Sequence, residues 1–348
     1  MALRLLGLLR FSVTFEQHCD GFEPALRGVI NYQASGALDP SALPDRTIEL
    51  MGPIARVVYD TSSDLAYGLD ATDHRLAKID LESGAVSYAN VTEAPADACV
   101  DAARGRLFVA NQTSTLITEY RTLDLGLVRS IAWNGTAGDP YYARPWIYCA
   151  PDRLYLTDGA SPPGLFTVEA LDDASPAVLK HGAPGVGRLA FNAGATDLYY
   201  WYRDAWNGGW IDTSVHHLLA ADFREVDATD PHPPNIYREP GATPIFLDAS
   251  RSLALAKNKI LDATDLQTLV HEMPNTDAFV GGGPADIYAF DARQGLLATM
   301  THVYDLDSYE AVAPRLLSYS IDSFFDRKGR LWSAGPLFLA SQIVSPRQ

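Results

Sequence analysis

The chain has 348 residues, 47% of them apolar and 20% charged, enough to build a sizeable core, and its 22 Pro and 26 Gly punctuate short apolar runs. Its 43 acidic against 27 basic residues leave a formal net charge of −16, a surface that repels phosphate backbones and argues against nucleic acid as a partner. No run approaches the roughly 20 apolar residues of a membrane-spanning helix, so no membrane insertion is expected.

The first residues, MALRLLGLLRF, begin like a signal peptide, but Arg10 interrupts the apolar run and no A-x-A-like cleavage site follows. From Leu9 to Phe15 the pattern alternates, with Phe11, Val13 and Phe15 on one side and Arg10, Ser12 and Thr14 on the other, which predicts a strand. Gly36 to Pro44 is expected to form a loop or cap across one face.

From residue 54 onward one phrase recurs seven times: an alternating apolar run, an Asp or Asn, a short polar turn, then Leu followed by small or aromatic residues. The copies centre on Leu65, Leu107, Leu154, Leu198, Leu253, Leu296 and Leu331, spaced by 42, 47, 44, 55, 43 and 35 residues. That period suits four-stranded propeller blades and is too long for ankyrin or tetratricopeptide units. In the first repeat, Ala55 to Asp60, Leu65 to Asp70, Arg75 to Asp80 and Ala85 to Val91 read as successive strands; the second follows through Cys99 to Asp101, Arg106 to Asn111, Leu116 to Thr122 and Leu127 to Trp133.

G-R-L-F-V-A-N at Gly105 to Asn111 and I-D-L-E-S-G-A-V at Ile79 to Val86 carry a family likeness. The chain resembles the seven-bladed propellers of the YVTN, or surface-layer-like, repeat group over roughly residues 54 to 342. The resemblance implies a fold and little function, because such propellers host binding, scaffolding and some enzymatic roles.

The seventh repeat, with strands at Tyr319 to Asp326, Arg330 to Ala334 and Leu337 to Ser341, lacks a fourth strand before the chain stops. An open blade exposes unpaired backbone, so an N-terminal strand, either Thr47 to Met51 or Leu9 to Phe15, is expected to complete it. The expected fold is all-β: a seven-bladed β-propeller of four-stranded antiparallel blades, with residues 1–53 as closing strand and cap and 54–348 as the propeller, together one domain.

Cys19, Cys99 and Cys149 show no C-x-x-C spacing. Cys99 and Cys149 occupy the same apolar strand slot of adjacent repeats and are read as small hydrophobes, which fits synthesis in a reducing compartment.

The fourth repeat is about ten residues longer than its neighbours and carries Y-Y-W-Y-R-D-A-W-N-G-G-W. Trp201 and Tyr202 on a strand, with Trp206 and Trp210 around Asn207, Gly208 and Gly209, suggest a protruding hairpin whose rings supply rigid contact area for a protein partner or stack on sugars. The alternative is packing of these rings between blades. Asp305, Asp307 and Glu310 offer three oxygen ligands for calcium, but the turn glycine of an EF-type loop is missing, and Asp side chains commonly cap their own turns. D-A-T-D at Asp70 to Asp73, Asp227 to Asp230 and Asp262 to Asp265 reads the same way. His216 and His217, being adjacent on a strand, face opposite sides and make a poor metal pair.

No G-x-S-x-G elbow, Walker loop or G-x-G-x-x-G appears, and no cofactor is expected. Three functional classes remain open. The first is a non-catalytic scaffold or protein-interaction component of a larger assembly, such as a virion tail or surface structure. The second is a metal-dependent hydrolase or lyase assembled at the channel mouth, for which Asp60, Asp101, Asp248, Asp291 and Asp326 at the inner-strand ends are the candidates. The third is glycan recognition by the Trp206 and Trp210 loop.

Overall fold

Alternating apolar residues in short runs need partners on both faces, and the chain supplies them by stacking sheets. A computed structural model describes residues 10–17, 26–33 and 45–344, apart from 136–144, 159–163, 182–185, 193, 205–210, 229–243, 257, 274–286, 300, 316–321 and 336. The chain divides into two compact units, Met1–Pro44 and Asp45–Gln348. In the first, β1 (Arg10–Gln17) pairs antiparallel with β2 (Leu26–Gln33), in register from Arg10↔Gln33 to Gln17↔Leu26. The alternation around Leu9 to Phe15 therefore does make a strand, but it pairs with β2 rather than with the last blade. The loop expected over Gly36 to Pro44 lies outside the described residues.

The second unit begins with β3 (Arg46–Glu49) and continues through seven four-stranded antiparallel sheets. Blade 1 is β4 (Arg56–Asp60), β5 (Leu65–Asp70), β6 (Arg75–Asp80) and β7 (Val86–Asn90). Blade 2 is β8 (Pro95–Asp101), β9 (Arg106–Asn111), β10 (Leu116–Arg121) and β11 (Leu127–Ala132). Blade 3 is β12 (Trp146–Cys149), β13 (Arg153–Thr157), β14 (Leu165–Glu169) and β15 (Ala177–His181). Blade 4 is β16 (Val186–Phe191), β17 (Asp197–Asp204), β18 (Ile211–Leu219) and β19 (Glu225–Ala228). Blade 5 is β20 (Ile245–Asp248), β21 (Leu253–Ala256), β22 (Lys259–Asp262) and β23 (Leu269–Glu272). Blade 6 is β24 (Ala289–Asp291), β25 (Leu296–Ala298), β26 (His302–Asp305) and β27 (Ala311–Pro314). Blade 7 is β28 (Asp322–Phe325), β29 (Arg330–Gly335) and β30 (Phe338–Ile343), with β3 as its outermost strand. The unit is a seven-bladed β-propeller, and no helix occurs among the described residues.

The core is divided among the seven seams between blades. Each of seven apolar clusters draws on two consecutive blades: Tyr67, Leu69 and Leu76 of blade 1 meet Leu107 and Val109 of blade 2, for example, and Leu255 and Ile260 of blade 5 meet Leu297 and Tyr304 of blade 6. The second and third strands are therefore buried on both faces, as in β5 and β9, where every residue after the first is buried. The D-L phrase of the sequence supplies a repeated peg. Leu81, Leu125, Leu171, Leu266 and Leu306 sit at the turn after the third strand, yet all are buried, each in the seam with the preceding blade. Leu125 and Leu266 take left-handed φ values of 56° and 52° to reach it, a conformation costing roughly 1–2 kcal/mol for a residue with a side chain. Full burial of a leucine, worth about 1.5–3 kcal/mol, offsets that strain.

Ring closure falls to β3. Its register with β30, from Arg46↔Ser341 to Glu49↔Phe338, fills the missing fourth position of blade 7, and the Thr47 to Met51 alternative is the one realised. Ile48 and Leu50 join Trp332, Ala334 and Leu339 of blade 7 and Ile54, Ala66 and Ile79 of blade 1 in the closing seam. Beyond the strand, Arg75 Nη2 donates to the Met51 carbonyl at 3.0 Å, and Met51 N–H donates to the Tyr88 hydroxyl at 2.7 Å.

The cysteines correct the sequence reading. Cys99 on β8 and Cys149 on β12 form a disulfide across the inner strands of blades 2 and 3, with Cα atoms 5.5 Å apart and 50 residues between them in sequence. The shared strand slot that made them look like apolar fillers is what brings them within bonding reach. A bonded pair also removes the support that three free thiols gave to a reducing compartment.

Because one short strand closes the ring, Ile48→Ala is expected to destabilise the propeller by about 2–4 kcal/mol, as for buried Ile truncations in general. Chemical denaturation read by tryptophan fluorescence checks this. Removal of residues 1–53, which takes away β3, should lower the midpoint of propeller unfolding sharply.

Candidate functional site

Antiparallel order gives the ring two unlike faces. One carries the turns between first and second and between third and fourth strands, of which the longest is 170–176. At the other lie the strand ends joined by the second-to-third hairpins and by the connections between blades, the longest of which run from β11 to β12, β19 to β20 and β23 to β24.

The five aspartates proposed as catalytic candidates lie on the short-turn face, buried in their own turns. Asp60 accepts from Ser62 N–H at 2.8 Å and from the Ser62 and Ser63 hydroxyls at 2.7 Å. Asp101 and Asp248 accept from Arg104 Nη1 and Arg251 Nη1, each at 2.8 Å. Asp291 is paired with Arg293 at 3.1 Å. Asp326 accepts from Lys328 N–H at 2.8 Å, Arg330 Nε at 2.6 Å and Trp332 Nε1 at 2.9 Å.

Burial pushes the Asp326 carboxyl up, but these charged and neutral donors outweigh it and hold the group below the usual carboxylate range; Asp248 behaves alike. The arginines then reach onward. Arg104 Nη1 donates to the Pro151 carbonyl of blade 3 at 2.9 Å, Arg293 Nη2 to the Asp326 carbonyl of blade 7 at 2.8 Å, and Arg327 Nη1 to the Ser62 carbonyl of blade 1 at 3.1 Å. This face is a chain of turn caps stitched blade to blade. In three of the turns Gly105, Gly295 and Gly329 hold the left-handed position that Ser252 takes in blade 5 at φ 54°.

Charge with no such structural repetition gathers at the opposite mouth of the channel. Four residues before the turn residue, the inner strands of blades 1, 2, 3, 4 and 7 place Arg56, Asp97, Trp146, Arg188 and Asp322. This arc carries four charged residues and one tryptophan. Arg56 Nε donates to Asp97 Oδ1 at 2.8 Å, and its Nη1 pairs with Asp322, so one guanidinium ties blade 1 to both neighbours. Val57 N–H donates to Asp322 Oδ2 at 2.7 Å, and Ile147 N–H to Asp97 Oδ2 at 3.1 Å. The same inter-blade clamp recurs with a phenol, as Leu189 N–H donates to the Tyr148 hydroxyl at 2.9 Å.

Arg188 lies 4.2 Å from the Trp146 ring centroid, and Arg56 approaches the same ring at 5.8 Å. Burial, with Arg56 nearby, lowers the Arg188 guanidinium from its ordinary value. Burial likewise raises the Asp322 carboxyl and pushes the Tyr148 phenol up to about 12. Inward of this ring the channel widens into a cavity of about 280 Å³ whose wall includes Arg56, Tyr59, Asp60, Tyr148, Phe191 and the Cys99–Cys149 bond.

The predicted aromatic hairpin rests on the longest strands of the propeller. β17 and β18 pair from Asp197↔Leu219 to Asp204↔Ile211, with Trp201↔Val215, so Trp201 and Tyr202 lie in the body of β17, Tyr202 opposite Val186 of the inner strand. Trp206 and Trp210 lie outside the described residues. The extra length of the fourth repeat is shared between this hairpin and the connection 229–244.

Asp305 accepts from Asp307 N–H and Ser308 N–H at 3.1 and 2.8 Å, Asp307 pairs with Arg251 of blade 5 at 3.1 Å, and Glu310 N–H donates to Ser308 Oγ. Among the described residues no group of three His, Cys, Asp or Glu is placed to hold a metal ion. His216 and His217 diverge as predicted: His216 stacks on Tyr200 and bonds Glu225, whereas His217 stacks on Tyr199 and bonds Asp197 at 2.8 Å. The mouth ring escaped the sequence reading, which looked at the turn ends of the inner strands; its signal was the break in residue type at the fourth position before each turn.

No family model matches the chain and no curated protein matches it, so the YVTN-type likeness stands on the quoted phrases alone. Among solved structures the chain is similar to the β-propeller domain of Cps50 (Swd1) from Myceliophteria thermophila. The two share 13% identity over 87% of this chain and 99% of that one, with a TM-score of 0.62. At that identity the likeness is one of fold.

Removing Arg56 strands two carboxylates at the mouth. Arg56→Met is expected to cost about 3 kcal/mol at pH 7, toward the lower end for a broken buried pair because the site is partly open to water. Asp326→Asn is expected to cost about 2 kcal/mol at neutral pH. A depressed folded-state carboxyl contributes stability above the unfolded-chain value near pH 4, and that stability is lost as pH falls through the folded value. The gap between wild type and Asp326→Asn should therefore narrow below about pH 4, as measured by urea denaturation across pH.

Proposed function

We propose that the protein is a non-catalytic propeller scaffold that docks protein partners on its long-connection face, as one component of a larger assembly. The observation that carries this reading is the contrast between the two faces. On the short-turn face the polar side chains cap their own turns or bridge blades, and the Asp candidates for chemistry are consumed in that work. On the other face lie the ends of the longest connections between blades, β11 to β12, β19 to β20 and β23 to β24, and the polar mouth. Loops positioned by a rigid frame are where recognition concentrates.

In sequence Trp201, Tyr202, Trp206 and Trp210 fall within ten residues, and Trp and Tyr dominate interface hot spots because they bury large area at little entropic cost. A binding role also fits the mouth, where Asp97 and Asp322 are each held by Arg56 and a backbone amide, leaving their oxygens committed to structure. Trp206→Ala together with Trp210→Ala is expected to abolish capture of the native partner from the source cells. The melting temperature is expected to shift by less than about 2 °C, the effect of a surface substitution. Unchanged partner capture by this variant would remove the hairpin from the interface, and glycan-array binding lost in the same variant would reassign it to sugar recognition.

A further inference from the structure

Two features described separately coincide in space: the inter-blade disulfide and the channel cavity. Cys99 and Cys149 both line the cavity, Cys149 half-buried and Cys99 only 8% exposed, and Arg56 stands in the same wall. At about 280 Å³ the space equals roughly nine water volumes, room for a small molecule and far too little for the active-site loop of a folded protein. Thiol–disulfide exchange requires access of a thiolate to a sulfur.

We propose that the Cys99–Cys149 bond is a thiol-exchange site reached through the channel by small thiols. The thiolate attacks Cys149 Sγ, the more exposed sulfur. A new S–S bond forms between thiol and Cys149, the Cys99–Cys149 bond breaks, and the electron pair stays on Cys99 Sγ, which takes a proton from water. A second molecule of the thiol attacks its own sulfur in the mixed disulfide and releases the free symmetrical disulfide, leaving both cysteines as thiols. Two electrons pass from two thiols to the protein.

The ring survives this step, because blades 2 and 3 remain joined by the Ile147 N–H to Asp97 hydrogen bond and by a seam of buried side chains from Phe108 to Leu171. What changes is the wall of the cavity and the covalent tie between two inner strands. The site thus couples the redox state of small thiols to the rigidity of the channel lining.

The test uses the full chain carrying Cys19→Ser, so that only this pair reports. It is incubated without denaturant with 2-mercaptoethanesulfonate or with reduced thioredoxin, acid-quenched, alkylated and analysed by peptide mass spectrometry. The expected result is a mercaptoethanesulfonate adduct on Cys149 and not on Cys99, formed at least tenfold faster per thiolate than reduction by thioredoxin. Adding Cys149→Ser should abolish the adduct. Three outcomes would overturn the proposal: adduct chiefly on Cys99, reaction only after denaturant is added, or thioredoxin reacting as fast as the small thiol. Finding both cysteines as free thiols in protein isolated under non-reducing conditions would overturn it as well.

Discussion

A blade of this protein cannot be stable alone, because its middle strands are apolar on both faces. Each sheet must be sandwiched, and a row of such sandwiches leaves an uncovered face at either end unless the row curves into a ring. The seam between blades 7 and 1 is where that requirement is met, by β3 lying against β30 and by Ile48 and Leu50 entering the closing cluster. A strand of four residues thereby connects the two ends of a structure of about three hundred residues, which makes the seam the point on which the cooperative stability of the ring depends.

The other seams repeat a single solution with different side chains. A leucine at the turn after the third strand enters the preceding blade, an aspartate caps the first turn, and in several blades an arginine on that aspartate reaches the next blade's turn. Where the apolar peg is small, as at Ala220, Phe223 stacks on His181 of blade 3 at 3.8 Å. Where it is Leu306, Tyr309 stacks on His271 of blade 5 at 3.9 Å. His181 and His271 thus serve as flat packing surfaces between blades.

The proposed recognition role falls where this regularity stops. The short-turn face repeats around the ring and uses its charges internally. The mouth on the long-connection face does not repeat: Arg56, Asp97, Trp146, Arg188 and Asp322 are different residues at one structural position, grouped on one side of the channel. Repetition of a residue type at equivalent positions marks folding work, and departure from it marks individual work. By that criterion the mouth, the β17–β18 hairpin and the disulfide-lined cavity are the distinctive parts of the molecule.

The sequence by itself determined the number of blades, most strand positions in the first two blades, the need for an N-terminal closing strand and the turn role of the aspartates. All of these follow from period-2 alternation and turn chemistry, which act between near neighbours in the chain. Only the tertiary structure decided which strand closes the ring, since Leu9 to Phe15 and Thr47 to Met51 both alternate and the choice depends on which can lie in register with β30. It also decided that Cys99 and Cys149 bond, and that Arg56 meets Asp322 across 266 positions of sequence. Those pairings depend on the angle at which seven blades converge, a distance relation that no local pattern contains.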